Sequence, residues 1–346
     1  MGISAALGPS AFFPAGLGFR NLIINGNMRI NQRGTTTSIA AGQAGALVYT
    51  ADRWAISSSD SGLPLTLSMV DIVSTSPGVD YAGITPIERY IRWYGGTGAS
   101  RRLIQRIENV NSLPPFPVTV SFWAKSPSNN AIQTLRIVQN FGTGGSPSSQ
   151  VSTTVATSIS LSSSWKEYSY TFVPPSISGK TLGTTANTSY VALEFENSSF
   201  SSFEYHITNV QVEVNLKATP FEQRPIGAEL ALCQRYFWAK PLSVTGLPSF
   251  QISGFGTYAV VPINVLNPVP MRAVPSASTD PTYPIGSYPP YIADNNSNLR
   301  TITSYGIYGG GLGIQFNYSG AALGNGTIYF GNWGDPNRTL WLSSEL

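Results

Sequence analysis

The stretch PVTVSFWAKS, residues 117–126, decides the fold. Val118, Val120, Phe122 and Ala124 fall on one side of an extended chain, and Thr119, Ser121 and Trp123 fall on the other. This two-residue period is that of a half-buried strand. Val191, Leu193 and Phe195 alternate with Glu194 and Glu196 in the same way. Outward from these two segments lie LIINGNMRI, QTLRIVQNF, EYSYTFVPP and YHITNVQVEV, each of strand length and each bounded by Ser, Gly, Asn or Pro clusters. Such spacing from Asn21 to Phe221 predicts a β-sandwich whose two inner apolar faces make one core.

Composition agrees. Of 346 residues only 11% are charged, while Gly numbers 34 and Pro 25, which suits short strands and tight turns better than solvated helices. A net charge of +3 from scattered Lys and Arg is too weak a field for a nucleic-acid footprint. The single cysteine, Cys233, excludes an intrachain disulfide, and the single histidine, His206, excludes His-rich metal sites and most triad chemistry. The apolar N-terminus, MGISAALGPSAFFPAGLGF, lacks a basic n-region and is interrupted by Pro9 and Pro14, so neither a signal peptide nor membrane insertion is expected. Residues 1–19 read as a docking peptide or as a disordered terminus. No repeat of 20–50 residues is visible, which argues against propellers and solenoids.

The segment PIGAELALCQRYFW, 225–238, changes period: Ile226, Leu230, Cys233 and Phe237 form one helical stripe, with Pro225 suited to the first turn. The stripe would pack on the sandwich or line an assembly axis. After Pro241 short β segments return. The expected organisation is therefore all-β: a peptide at 1–19, a jelly roll at 20–224, a helix or linker at 225–240 and a smaller β-domain at 241–346.

Among residues able to carry chemistry, Glu194 and Glu196 share a sheet face and are the one carboxylate pair worth testing for hydrolysis; a solvated sheet face is the plainer reading. His206 reads as a hydrogen-bonded structural residue. GGTG at 95–98 and GTGG at 142–145 lack the following Lys-Ser/Thr and helix of a phosphate cradle, and read as turns. Tyr90, Arg92, Trp93 and Tyr94 cluster in RYIRWYGG, and Phe200, Phe203 and Tyr205 lie near the end of the sandwich; flat rings beside polar donors suit a sugar, and otherwise fill a core. Asn25, Asn27, Asn209 and Glu213 are candidate oxygen ligands for a structural Ca²⁺, and no other cofactor is expected.

Three stretches in order, NLIINGNMRINQRG with YTADRW, QRIENVNSLPPFPVTVSFWAKS, and ITNVQVEVNLKATPFEQRPIGAELALCQRYF, resemble phage tail-fibre and tail-tip proteins that contain a carbohydrate-binding-module-like jelly roll. The third is the most specific, through Gln211, Glu213, Thr219, Pro220, Phe221, Glu222, Arg224, Pro225 and the run Cys233 to Tyr236, and the closing SSEL is similar too. The resemblance covers about residues 21–240. It implies a virion protein, a homotrimer with the Arg224-to-Tyr236 helix near its three-fold axis, attachment to the tail or baseplate through the N-terminal segment, and non-covalent binding of host cell-surface polysaccharide. It assigns no binding residues to 81–101 or 241–346, where Tyr283, Tyr288, Tyr291, Tyr305, Tyr308 and Trp333 mark a second possible tip. The rivals are a passive fibre or baseplate subunit and a polysaccharide depolymerase; the expectation is no enzyme.

Overall fold

The computed structural model describes residues 19–34, 36–39, 45, 47–59, 65–71, 81–82, 85–96, 100–198 and 201–241, and C-terminal segments 250–252, 258–262, 269–279, 291–293, 299–308, 313–319, 326–331 and 339–345. Two compact units divide the chain, one running to Glu229 and the other spanning Leu230–Glu345.

The first unit is a jelly-roll sandwich of antiparallel sheets. Its strands are β1 (Thr36–Ile39), β2 (Val48–Tyr49), β3 (Ala55–Ser58), β4 (Leu65–Asp71), the small hairpin β5 (Tyr81–Ala82) and β6 (Thr85–Pro86), β7 (Arg89–Gly95) and β8 (Arg101–Glu108). They continue through β9 (Val118–Lys125), β10 (Ala131–Asn140), β11 (Val151–Ser160), β12 (Lys166–Phe172), β13 (Tyr190–Asn197) and β14 (Phe203–Glu213). One six-stranded sheet has the order β1-β4-β7-β14-β9-β12 and the other β11-β10-β13-β8-β3-β2. Most successive strands thus cross between sheets, with β2–β3, β4–β7 and β10–β11 staying in one sheet, and the period-2 patterns read from sequence supply the apolar filling. Leu67, Ile91, Trp93, Val120, Phe122 and Ile207 from the first sheet meet Ile56, Leu103, Leu135, Leu193 and Phe195 from the second, all fully buried. Phe122 and Phe195 meet edge to face across the layer, with centroids 5.0 Å apart. Each such side chain contributes about 1.5–3 kcal/mol by leaving water.

Polar residues of the three motifs are spent on closing the end of this sandwich. Asn21 Nδ2 donates to the Val210 carbonyl at 3.1 Å, while its Oδ1 accepts from the backbone N–H of Ile23 and Val212. Gln105 takes the place of a strand beside Ile24, accepting from its N–H at 2.8 Å and donating to its carbonyl at 2.9 Å. Asn25 brackets Ile30 through both ends of its amide and donates to the Asp52 carbonyl, and the buried Trp54 indole donates to the Asn25 carbonyl at 3.0 Å. Gly26 is required by contact: a β-carbon there would sit 2.2 Å from the Val210 carbonyl oxygen. Arg224, with 3% of its side chain exposed, donates to the carbonyls of Ile23 and Asn21 and pairs with Glu229 at 3.1 Å. Glu229 also accepts from the Asn25 N–H, so the start of the helix is tied to the first strand-like segment.

Helix α1 (Ile226–Gln234) is shorter than the sequence stripe. Ile226, 49% exposed, Leu230 and the buried Cys233 lie on it; Phe237 does not, because the chain extends two residues after Gln234. The 225–240 linker is accordingly divided between the units at Glu229. Phe237 opens β15 (Phe237–Pro241) of the second unit, which continues with β16 (Phe250–Ile252), β17 (Tyr258–Pro262), β18 (Ser276–Thr279), β19 (Tyr291–Ala293), β20 (Leu299–Tyr308), β21 (Gly313–Tyr318), β22 (Gly326–Gly331) and β23 (Thr339–Ser343). Its sheets run β15-β23-β18 and β16-β22-β19-β20-β21-β17. Among the described residues no helix is long and apolar enough to cross a membrane.

Candidate functional site

Strand alternation splits the first aromatic cluster. Ile91 and Trp93 of β7 point between the sheets, and Tyr90, Arg92 and Tyr94 point outward from the sheet β1-β4-β7-β14-β9-β12. Trp93 is fully buried and packs edge-on against Phe203 at 4.9 Å and beside Tyr205 at 5.3 Å. The expectation that Trp93 and Phe203 offer a sugar-stacking face is therefore corrected: both rings fill the core, as does Tyr205. Burial is the main reason the Tyr205 hydroxyl titrates near 12, and that hydroxyl donates to the Ala131 carbonyl at 2.6 Å. Phe200 and residues 1–18 lie outside the described residues, as do the side chains of the six C-terminal aromatics.

The outward row is completed by residues from other strands. Register places Ser68, Arg92, His206 and Lys125 side by side across β4, β7, β14 and β9; Thr66, Tyr94 and Glu204 form the next row, and Thr208, Trp123 and Glu167 another. Arg92 donates twice to Glu204, at 2.8 Å through Nε and 2.8 Å through Nη2, and its guanidinium lies 4.4 Å from the Tyr94 ring centroid. The Arg92 hydrogen bonds are the largest cause, with a smaller help from His206, of the Glu204 pKa standing at about 2. Tyr90 stacks on His206 at 4.7 Å, and Trp165, just before β12, meets Tyr90 edge-on at 5.4 Å beneath the Lys125 ammonium at 4.9 Å. At the β1 edge the face turns to hydroxyls, with Thr36 against Ser68 at 3.2 Å and Ser38 against Thr66 at 3.1 Å. Rings, a charged pair and hydroxyls thus share one sheet face, which suits stacking and hydrogen bonding to a flat polyhydroxylated partner.

His206, Lys125, Trp123, Trp165 and Glu204 were not among the sequence candidates for this face. Trp123 was legible, since it alternates with Val118, Val120 and Phe122; the others come from separate strands.

The remaining candidates do other work. Glu194 and Glu196 point outward from β13, where Arg136 binds both, at 2.7 Å and 2.9 Å, and Arg102 lies 3.6 Å from Glu194. These carboxylates flank arginines in a ladder and do not face each other across a cleft, which is what paired-acid hydrolysis needs. The four proposed Ca²⁺ ligands do not form a cage. Glu213 accepts from Gln211 Nε2 and from the N–H and hydroxyl of Thr219, Asn25 spends its side chain as described, and Asn27 is half-exposed. Asn209 sits at the bulge of β14 with a left-handed φ of 48°. Among the described residues no group of three or more His, Cys, Asp or Glu converges as a metal site. GTGG at 142–145 is a turn, with Gly142, Gly144 and Gly145 at positive φ.

No protein-family model matches the sequence, and no curated protein matches it. Solved structures similar to part of the chain include a tailspike enzymatically active domain of bacteriophage CBA120 (TM-score 0.30, 14% identity, 56% of this chain and 21% of that one). A xylan-binding domain of Paenibacillus barcinonensis is also similar (TM-score 0.31, 12% identity, 52% of this chain and 100% of that one). A third is a family 11 carbohydrate-binding module of Clostridium thermocellum holding a mixed-linked tetrasaccharide (TM-score 0.29, 14% identity, 53% and 98%). The chain spans about a fifth of the tailspike chain it matches, 21%. Scores this low leave function to be argued from this chain's own residues.

Proposed function

We propose that this chain is a phage tail-fibre subunit that holds the virion to its host by reversible, multivalent contact with cell-surface glycan, without covalent chemistry and without a cofactor. The observation that carries the reading is the outward array of Tyr90, Arg92, Tyr94, Trp123, Lys125, Trp165 and His206 on one sheet of the sandwich. Sequence resemblance in the three motifs supports the virion setting. A homotrimer would raise weak single-site binding by avidity, the N-terminal segment would meet the tail or baseplate, and a stripe through Ile226 and Leu230 would face its sister copies. The test is binding of the intact chain to a glycan array and competition with phage adsorption. Binding that is lost in Tyr90→Ala and Tyr94→Ala supports the proposal; no glycan bound by the intact oligomer overturns it.

A passive spacer is the second reading. It is favoured by the burial of the most specific motif residues, Asn21, Gln211, Glu213, Arg224 and Glu229, which build a clamp and no surface. Intact assembly with no adsorption phenotype on removal of the outward rings would select it.

A further inference from the structure

Two polar atoms on the proposed contact face have no hydrogen-bond partner. His206 Nε2 meets Glu204 Oε1 at 2.7 Å. The ionised Glu204 carboxylate can only accept, so the Nε2 that meets it carries the proton and donates, and burial, the largest influence, pulls the His206 pKa below its ordinary value, which favours the neutral ring. Nδ1 is then a bare acceptor, closed to solvent and unpartnered, on a residue only 7% exposed. The Trp165 indole Nε1–H is a donor in the same condition. The two rings lie 6.4 Å apart with planes tilted by 49°, and both touch Tyr90.

An unpartnered acceptor and an unpartnered donor on rings whose centroids lie 6.4 Å apart are the complement of a hydroxyl, which gives one hydrogen bond and accepts another and bridges two nitrogens about 5–6 Å apart. Aromatic faces next to such a pair are what the C–H face of a sugar ring needs. The Arg92 fork is already filled by Glu204, and although the Lys125 ammonium lies over the Trp165 ring, a carboxylate has no proton to give Nδ1, whereas a hydroxyl serves both nitrogens. Trp165 is also the side chain able to give way. It stands at the end of the turn before β12, outside the strand ladder, half-buried, and held by ring contacts to Tyr90 and Lys125.

We propose that Trp165 and His206 form a subsite for one hydroxyl of a neutral glycan, which bridges Trp165 Nε1 and His206 Nδ1 once the indole shifts to admit it. This rests on the reading of the sheet face as a glycan surface and adds to it the class of sugar and the two atoms that select it.

The experiment is calorimetric titration of the full chain with cellotetraose, xylotetraose, maltotetraose and, as the acidic comparison, tetragalacturonate. Trp165→Phe keeps a ring and removes the N–H; His206→Gln keeps a donor toward Glu204 and removes the Nδ1 acceptor. Thermal melts establish that each variant is folded. The expected result is a neutral tetrasaccharide bound by the wild type, about 5–10-fold weaker in either variant, with the double variant little worse than each single because both lose the same hydroxyl. Equal affinity in a folded Trp165→Phe or His206→Gln overturns the subsite and leaves the glycan face standing. Binding of tetragalacturonate alone overturns the choice of a neutral sugar. No binding of any probe by the wild type overturns this subsite, and if the glycan array is also blank the reading beneath it falls with it.

Discussion

Replacing Arg224 by Met tests whether the most recognisable part of the sequence is structural. Its guanidinium donates to the carbonyls of Asn21 and Ile23 and pairs with Glu229, with side-chain exposures of 3% and 9% for the pair. Methionine fills much of the volume but leaves two carbonyls without their donor and the buried Glu229 carboxylate without its cation, held by the Asn25 N–H alone among its described partners. Removing one partner of a buried pair costs about 3–5 kcal/mol, a large share of the roughly 5–15 kcal/mol that holds a domain. For a unit of this size about 2–4 °C is lost per kcal/mol, so the melting midpoint is expected to fall by roughly 6–20 °C. Differential scanning calorimetry measures it. The double variant Arg224→Met, Glu229→Gln removes the stranded charge and is expected to recover part of the loss while the carbonyls stay unpaired. Glycan affinity per folded molecule is expected to be unchanged. A midpoint within about 2 °C of wild type, or an affinity lost without loss of stability, would refute the clamp.

Gly26→Ala is expected to cost at least about 1–3 kcal/mol, as overpacking does, because its β-carbon would meet the Val210 carbonyl oxygen at 2.2 Å; urea denaturation checks it. Acidification should weaken the fold in two windows. His206 is held below its ordinary 6.5 chiefly by burial, so its stabilising share is present above that pH and declines as pH falls beneath it. Glu204, held at about 2 against an ordinary 4.5 chiefly by the Arg92 hydrogen bonds, keeps its share above pH 4.5 and loses it as pH falls toward 2. The groups facing His206 are Glu204, which opposes its shift, and Lys125 and Arg92, which add to it; a stability gap between wild type and His206→Gln that is the same at pH 7.5 and 5 would sink the assignment. Glu194→Gln with Glu196→Gln should leave host polysaccharide as uncut as the wild type does, measured by reducing ends; wild-type release that the double variant abolishes would make the chain an enzyme. Ile226→Glu, an acid at a helix start where the dipole favours it, should lower the oligomer in sedimentation without unfolding the chain; an unchanged oligomer removes the stripe from the interface.

The sandwich was legible because alternation is a local signal: Val118 to Ala124 and Val191 to Glu196 state which side chains point inward without reference to any partner strand. The same rule, applied to RYIRWY, already divides Trp93 from Arg92 and Tyr94; grouping those residues by adjacency obscured it, and Trp93 and Phe203 went to the core. The helix was placed correctly at its start, where Pro225 and the apolar spacing agree, and overrun at its end, since Phe237 fits the period of either a helix or a strand. What alternation does not give is register. Arg92, His206 and Lys125 are 114 and 81 residues apart from their row neighbours along the chain, and only the pairing of β7, β14 and β9 makes them one surface.

That division also explains why the strongest motif and the best candidate site are different places. Asn21, Gln105, Gln211, Arg224 and Glu229 are polar groups in a buried setting, where each lost partner costs a full desolvation and few substitutes fit. Such residues give a dense, recognisable signature because packing constrains every one of them. Tyr90, Tyr94, Trp123 and Trp165 lie on an open face, where a ring of another size is tolerated by the fold and judged only by what it touches. A sequence resemblance carried by the clamp therefore transmits the architecture of the sandwich with high fidelity and says little about the ligand. The proposed ligand is instead to be tested at the orphaned atoms of His206 and Trp165.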